Sequence, residues 1–234
     1  MGNVIYRGID LSQFNITITG FETWKSPEWD FEEEEVPGKN GTVLIDNHRY
    51  KNVDIPYTIG VKRPVAKTIE ALRSFFLSSP GYHRLEDTWN PDQFRLAAPK
   101  GSITPSVKVR GRLAEFDITF NCKPQRFLKA GEIPAEYTGN GSIFNPTGKE
   151  ALPIVRVYGT GYLGIGDETI QIKQNPGYID IDCERMNAYM GSLNCNSYTK
   201  LASGSYYHLD PGENGIAMDN TITKVIITPK WWIV

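Results

Sequence analysis

The sequence predicts a mainly β protein with one packed α-helix and two sheet-rich domains. Apolar and polar residues alternate through long stretches, which is typical of strands that bury one face. Residues 65–78 have instead the three- and four-residue apolar spacing of a helix. Beyond residue 130 the chain changes to short strand-like runs separated by turn-forming residues. We therefore predict an N-terminal domain over residues 1–130 and a C-terminal domain over residues 131–234.

The clearest strand covers residues 53–61. Its alternate positions are apolar: Val53, Ile55, Tyr57, Ile59 and Val61. Pro56 cannot donate a ladder hydrogen bond, so it favours an edge position or a bulge. Asn40-Gly41 and Asp46-Asn47 are turn-forming pairs on either side of the run "TVLI". Residues 36–61 are therefore expected to form hairpin strands.

A single helix is predicted within the N-terminal domain. Its apolar stripe consists of Ile69, Leu72, Phe75 and Phe76, and Ser79-Pro80-Gly81 ends it. A helix of this kind must bury its stripe, and a neighbouring sheet is the natural surface. The alternating run at residues 116–122 predicts a further strand of that sheet.

The C-terminal part predicts a β-sandwich of about 100 residues, because many short strands with frequent turns are typical of that architecture. Gly166-Asp167 is a plausible hairpin turn between "GYLGIG" and "TIQIK". Cys122 and Cys183 lie on apolar strand faces and are expected to be buried, whereas Cys195 lies in a loop that could be exposed. We expect no disulfide framework and no metal site from cysteine spacing.

Composition excludes several classes of function. The net charge is −2 and the isoelectric point is about 6.0, which gives no basic surface for nucleic acid. No apolar run is long enough to cross a membrane. The N-terminal residues lack the pattern of a secretory signal, so we expect synthesis in a cytoplasm and no membrane partner.

The run "WDFEEEE" is the most acidic stretch of the chain. Asp30 and residues 32–35 repel one another, so the run is expected on a solvated loop or a strand edge. A second interpretation is a surface that repels another negative molecule, such as the wall of a conduit for DNA.

The segment "SSPGYHRLEDTW", residues 78–89, has the residue types of an active site. A hydrolase would use His83 and Glu86 as its acid and base. The sequence has no G-x-S-x-G elbow, and neither His48 nor His208 lies in a ligand motif. We therefore favour a polar structural turn, and we predict no catalytic residue, cofactor or metal.

Aromatic residues of the C-terminal domain raise the alternative of sugar stacking. The candidates are Tyr206, Tyr207, Trp231 and Trp232. Adjacent residues of a strand point to opposite faces, so at most one of the two tryptophans belongs to the core. The other would lie at an interface.

Four segments, in order along the chain, resemble the distal tail proteins of siphophages that infect Gram-positive bacteria. They are "EVPGKNGTVLIDNHRYKNVDIPY", "IEALRSFFLSSPGYHRLEDTWNPDQFRLA", "FDITFNCKPQRFLKAGE" and "TKVIITPKWWIV". Together they span the chain from about residue 24 onward, and several co-linear motifs are more specific than any single pattern.

The resemblance implies an N-terminal ring-forming domain, β-sandwich-like with a helix at about 65–78, followed by a galectin-like β-sandwich. It implies a non-enzymatic hub at the virion tail tip, assembled as a homo-hexameric ring. The implied partners are the tail tube protein, the tail-associated fibre or lysin hub protein and receptor-binding proteins. The alternative is a carbohydrate-binding module for host wall glycan, although the galectin sugar-binding set of His, Asn, Arg, Trp and Glu is not found in the second domain.

The resemblance and the strand edges also indicate individual residues. The interface candidates are Lys39, Asn40, Gly41, Tyr57, Trp231 and Trp232. The residues expected to form a structural motif of the first domain are Tyr82, His83, Arg84 and Trp89.

Overall fold

Strands make up most of this chain. The structure is a computed structural model that describes residues 2–110 and 112–234. It divides into two compact units, the first ending at Arg126 and including Val234, and the second covering residues 127–233. Within the described residues there is one α-helix, and no helix is long and apolar enough to span a membrane. The mainly β fold with one helix, predicted from the sequence, is confirmed.

The first unit holds helix α1 (Val65–Leu77) and ten strands, the last of which runs two residues into the second unit. The strands are β1 (Val4–Tyr6), β2 (Ile9–Asp10), β3 (Ile16–Phe21), β4 (Trp29–Glu35), β5 (Thr42–Tyr50), β6 (Val53–Lys62), β7 (His83–Asp87), β8 (Gln93–Lys100), β9 (Ser106–Val109) and β10 (Leu113–Leu128).

The main sheet has the strand order β2-β1-β7-β8-β10-β6-β3, with β9 also on β10. Tyr6 on β1 is three strand positions from β10, a span of about 14 Å in a flat sheet. Its ring nevertheless lies 4.9 Å from that of Phe120 on β10. The sheet therefore curls around its core, and it is one curved sheet rather than the two facing sheets of the sandwich-like prediction.

The alternation in β6 has the predicted consequence, because its five alternate apolar side chains are all buried. The prediction of an edge position for Pro56 is wrong, since β6 pairs with β10 on one side and β3 on the other. The ladder with β3 ends at Phe21 opposite Tyr57. Just beyond that end Glu22 donates its N–H to the carbonyl of Pro56 at 3.3 Å, and the carbonyl of Glu22 accepts from Lys25. The N–H that Pro56 lacks is therefore not needed there.

Helix α1 packs its apolar stripe into the core of the first unit. Its buried residues are Val65, Thr68, Ile69, Leu72 and Phe76. They join residues of β1, β6 and β10 in one apolar cluster. The helix thereby covers the concave face of the sheet, as its three- and four-residue spacing predicts.

The second unit is a two-sheet β-sandwich. Its strands are β11 (Ala135–Tyr137), β12 (Gly141–Asn145), β13 (Ile154–Gly159), β14 (Gly161–Ile165), β15 (Glu168–Ile172), β16 (Ile179–Asp182), β17 (Asn187–Met190), β18 (Leu193–Asn194), β19 (Thr199–Leu201), β20 (Gly212–Met218), β21 (Ile222–Thr228) and β22 (Trp232–Ile233). One sheet has the order β11-β21-β13-β16-β17-β18, and the other has the order β12-β20-β14-β15-β19. Buried residues of both sheets form a single core, as in other sandwiches.

Local predictions in the second unit hold in part. Gly166 and Asp167 connect β14 to β15, as predicted. Cys122 and Cys183 are buried, and burial raises the pKa of each thiol to about 12. The expectation that Cys195 could be exposed is wrong, because its side chain is fully buried in the sandwich core.

Replacement of Leu72 by alanine should destabilise the first unit. Leu72 is 0% exposed, so the change removes apolar contacts and leaves a cavity. The expected loss in the free energy of unfolding is about 2–5 kcal/mol, measured by urea denaturation with circular dichroism. Leu77→Ala is the matched control in the same helix, because Leu77 is 74% exposed. Equal losses in the two variants would contradict the packing of α1.

Candidate assembly surface

Strands β4 and β5 form a two-stranded sheet of their own, which we call the acidic hairpin (Trp29–Tyr50). An isolated two-stranded hairpin is marginally stable in water, because it has no third layer against which to bury a face. The side chains of residues 32–35 are all exposed. This hairpin is therefore the part of the first unit with the greatest need of a partner.

The register of the hairpin places acidic residues opposite apolar ones. Glu33 pairs with Leu44, and Glu32 pairs with Ile45. Because paired residues share a face and successive residues alternate, each face of the hairpin has carboxylates on β4 and an apolar side chain on β5. The surface of the hairpin is thus both acidic and partly apolar.

Large apolar side chains are exposed along and beside this hairpin. They are Trp24, Trp29, Phe31, Val36, Leu44 and Ile45. The rings of Trp29 and Tyr50 lie 4.2 Å apart across the two strands. Exposed large apolar side chains often mark contact sites in soluble proteins.

The charge of the hairpin is only partly compensated. Asp30 accepts a hydrogen bond from Arg49 Nε at 2.6 Å and lies 3.8 Å from Lys51 Nζ. The bond from Arg49 lowers the pKa of Asp30. In the part of the chain that the structure describes, the carboxylates of residues 32–35 have no ion pair. Four negative charges therefore remain for a partner surface.

The tip of the hairpin contains three of the predicted interface residues. Lys39, Asn40 and Gly41 lie in the exposed turn between β4 and β5. Gly38 and Gly41 have φ values of 85° and 81°, which favour glycine. The turn predicted at Asn40-Gly41 is present, whereas Asp46-Asn47 lies inside β5 and forms no turn.

The segment that resembles an active site holds the base of the hairpin. Asp87, the last residue of β7, accepts hydrogen bonds from Thr23 Oγ1 at 2.5 Å and from Tyr57 Oη at 3.2 Å. Its other oxygen accepts from the backbone N–H groups of Trp89 and Asn90 and from Asn90 Nδ2. One carboxylate thus ties β7 and the turn after it to the chain entering the hairpin.

The chain leaving the hairpin is held by the same segment. Asn52 Nδ2 donates to Tyr82 Oη at 2.6 Å and to Asn121 Oδ1 at 2.8 Å. Tyr82 in turn donates to Asn121 at 2.9 Å. The carbonyl groups of Thr23 and Lys25 accept from the buried Arg95. Both ends of the hairpin are therefore anchored to the main sheet.

The remaining motif residues pack within the first unit. Trp89 stacks on Phe21 with ring centres 3.8 Å apart, and His83 meets the ring of Tyr6 edge-on at 5.9 Å. Arg84 lies over the ring of Phe94 at 3.8 Å. These contacts lie within the first unit, and the role of the segment as a structural motif stays a prediction.

The acid–base pair that a hydrolase would use is not formed. His83 and Glu86 are three residues apart on strand β7, so they point to opposite faces. Glu86 accepts from Arg84 Nε at 2.5 Å. Ser79 Oγ lies 3.1 Å from His83 Nε2, but within the described residues no carboxylate orients the other ring nitrogen. The constellation of nucleophile, base and orienting group is therefore incomplete.

Two predicted interface residues need correction. Tyr57 and Trp231 are buried in the cores of their own units, so neither presents its side chain to a partner. Burial and the charge of Asp87 raise the pKa of Tyr57, which keeps its hydroxyl neutral as a donor. Trp232 is half-buried, and its Nε1 donates to the carbonyl of Glu150 at 2.8 Å.

The aromatic platform for sugar is also not assembled. Tyr207 is fully buried in the sandwich and donates its hydroxyl to the carbonyl of Leu163 at 2.9 Å. With Trp231 buried as well, only Tyr206 and Trp232 of the four predicted residues retain exposed area. A stacking site needs exposed aromatic faces, so this geometry does not favour the carbohydrate alternative.

A second surface of the first unit has the opposite charge. Strand β9 pairs with β10 alone among the described strands, so its other edge is open. We call this strand and its continuation the basic edge. It consists of the exposed residues Val107, Lys108, Val109, Arg110 and Arg112. Sequence reasoning missed it, although the alternation of apolar and basic residues in "VKVRGR" is a visible signal.

Solved structures with the same fold come from phage tails. The Dit protein of phage SPP1, described as a paradigm of the hub adsorption apparatus in phages that infect Gram-positive bacteria, is 12% identical over 100% of both chains with a TM-score of 0.79. The chain has the fold of a phage hub protein. The resemblance to distal tail proteins that the sequence indicates is therefore confirmed at the level of fold.

Two further solved structures extend this similarity. The phage p2 baseplate in its activated conformation, determined with Sr and with Ca, contains chains 10% identical over 97% of both lengths. Their TM-scores are 0.56 and 0.55. A scan of protein-family models and a search of curated proteins found no match.

Replacement of Asp87 by alanine should loosen the base of the hairpin. The change leaves the buried Tyr57 hydroxyl and the Thr23 hydroxyl without their acceptor, which should lower the free energy of unfolding by about 2–4 kcal/mol. Urea denaturation measures the loss, and limited proteolysis within residues 23–52 should accelerate. Asp92→Ala is the control, because Asp92 is an exposed carboxylate of the following turn. Unchanged stability in Asp87→Ala would refute the anchoring role.

Proposed function

We propose that this chain is a non-enzymatic structural hub of a siphophage tail tip. Its copies close a homo-hexameric ring through the first unit and join the tail tube to the tail-associated fibre or lysin hub. Receptor-binding proteins dock on the assembled hub. The observation that carries this proposal is the full-length similarity to a hub adsorption protein, at a TM-score of 0.79.

Ring closure requires two different complementary patches on each copy, because the same contact repeats around a symmetry axis. The acidic hairpin and the basic edge meet this requirement. One combines free carboxylates at residues 32–35 with Leu44 and Ile45, and the other combines Arg110 and Arg112 with exposed valines. We assign the contact between subunits to the hairpin of one copy and the basic edge of the next.

The contact has an apolar and an electrostatic part. Full burial of a leucine side chain contributes about 1.5–3 kcal/mol relative to exposure, so Leu44, on the face that it shares with Glu33 and Glu35, supplies affinity. The opposite charges guide encounter and discourage wrong partners, since like charges would then meet. A partner also supplies the third layer that the two-stranded hairpin lacks.

A charge placed at the apolar position of the hairpin should weaken assembly. Leu44 is 56% exposed, so Leu44→Glu leaves the isolated subunit folded but puts a carboxylate into the contact. The concentration at which half of the chains assemble, measured by native mass spectrometry and light scattering, should rise by about tenfold or more.

Leu193→Glu is the matched control for this variant. Leu193 is 43% exposed on the second unit, away from both proposed patches in the chain. It should assemble like the unmodified chain. Equal effects of the two substitutions would contradict the role of the hairpin, and a chain that remains monomeric at the highest attainable concentration would contradict the ring itself.

Reversing the charge of one patch alone should weaken assembly of the subunits, and reversing both patches together should restore it. Glu33→Lys with Glu35→Lys makes the hairpin face that carries Leu44 less acidic, and Arg110→Glu with Arg112→Glu reverses the basic edge. Each double variant should assemble less well, because like charges then meet. The chain carrying all four substitutions should recover assembly, and in every case raised salt should weaken the charge effect.

Light scattering across a salt series provides the measurement. Failure of the fourfold variant to recover, with both double variants folded by circular dichroism, would disprove the pairing of these two patches. Ring formation with unchanged salt dependence in the double variants would do the same. In that case rings seen by electron microscopy would still support the hub function.

A further inference from the structure

A cluster of metal-binding side chains lies on the second unit, outside the surfaces described above. Oxygens of Glu150 and Asp210 and a ring nitrogen of His208 lie within 4.8 Å of one another. We propose that this cluster is a site for a divalent transition-metal ion of the zinc type. The proposal concerns the second unit alone and does not depend on ring assembly.

Backbone pairing brings the three side chains to one face. Ala151 and Leu209 form an isolated antiparallel bridge, with hydrogen bonds of 3.0 and 2.9 Å in the two directions. Both of their side chains are fully buried. Because side chains alternate along extended chain, the flanking residues Glu150, His208 and Asp210 point outward together.

Both connections that carry these residues are held in place by buried amides. Asn145 Nδ2 donates to the carbonyls of Lys149 and Leu209 at 2.9 and 2.8 Å. Asn214 accepts from the backbone N–H of Asp210 at 2.9 Å and donates to its carbonyl at 2.9 Å. The geometry therefore exists before any ion binds, which favours binding.

A buried carboxylate lies beside the histidine. Glu168 is only 7% exposed, and its Oε2 lies 3.2 Å from His208 Nδ1. No donor reaches that oxygen with hydrogen-bond geometry in the described residues, although the distance is that of an ion pair. A buried carboxylate needs a hydrogen-bond donor or a positive charge close by, and a metal ion on the other ring nitrogen of His208 would supply that charge. The only ion-pair partner of Glu168 in the described residues is His208.

This arrangement matches the outer shell of known metal sites. A histidine that binds a metal commonly directs its other ring nitrogen to a carboxylate, which fixes the tautomer and raises ligand basicity. With Nδ1 facing Glu168, the lone pair of Nε2 is left for an ion on the side of Asp210. Glu168 and the cluster therefore lie at the two different ring nitrogens of His208.

The ligand spacing supports an ion in preference to a direct hydrogen bond. His208 Nε2 lies 3.6 Å from Asp210 Oδ2, which is too long for a hydrogen bond. Two ligands at about 2.0–2.1 Å from a tetrahedral zinc ion lie about 3.4 Å apart. The mixed nitrogen and oxygen set selects a zinc-type ion, because calcium and magnesium take oxygen ligands.

The sequence conceals this site because its ligands are far apart in the chain. Glu150 precedes His208 by 58 positions, and His208 and Asp210 lack any spaced partner in a recognisable zinc motif. The prediction of no metal site followed from local spacing alone. Binding would cross-link the connection after β12 to the connection before β20.

Isothermal titration of the metal-free full-length chain with zinc tests the assignment. One ion per chain should bind, and zinc should raise the midpoint of thermal unfolding. His208→Ala should weaken binding by about 100-fold or more, and Glu168→Gln should weaken it by about 10–100-fold. Asp210→Asn, an exposed change, should also weaken binding while leaving the metal-free unfolding midpoint unchanged.

His48→Ala is the matched control. His48 is an exposed histidine whose Nδ1 lies 3.4 Å from Asp46, yet it has no buried carboxylate behind it. Its loss should leave zinc affinity unchanged. Absence of binding at millimolar zinc, unchanged affinity in folded His208→Ala or in Asp210→Asn, or equal affinity for calcium would each overturn the proposal.

Discussion

The first unit depends on the half-buried carboxylate of Asp87, which supplies contacts that the hairpin cannot make for itself. Acidic hairpin Trp29–Tyr50 has no third strand, so its direction must be set at its base. Asp87 fixes the incoming chain through Thr23 while also closing the turn after β7. Asn52 and Tyr82 fix the outgoing chain. A polar network of this kind can hold a precise direction because its hydrogen bonds depend on geometry and reinforce one another.

This anchoring gives a structural use to a segment that has the residue types of an active site. Carboxylate, imidazole and hydroxyl groups are needed wherever chain ends must be fastened without a large apolar contact. His83 and Glu86 lie on opposite faces of β7 and serve different neighbours. Polar groups of the kind that catalysis uses here fix the direction of the acidic hairpin. Its exposed acid and apolar side chains then face outward, where a partner can reach them.

The two units are both built from strands that bury one apolar face, but they cover that face in different ways. The first covers one curved sheet with α1 and leaves strand edges and a hairpin open. The second closes two sheets on one another around a shared core. Open strand edges have unpaired backbone groups that can bind a partner, whereas two packed sheets bury their apolar faces against each other. The ring that we propose would use the open edges of the first unit, and the proposed metal-binding cluster on the sandwich would reinforce its connecting loops.

The sequence by itself determined the elements, since periodicity is local: the alternation in β6 and the spacing of Ile69, Leu72 and Phe76 already identify buried faces. It also indicated the hub fold through its co-linear motifs. Only the tertiary structure decided which elements meet. Thr23 and Asp87 are 64 positions apart, and no local pattern encodes their contact. The burial of Trp231 was likewise undecided, because alternation shows that two adjacent side chains diverge but not which of them faces the core.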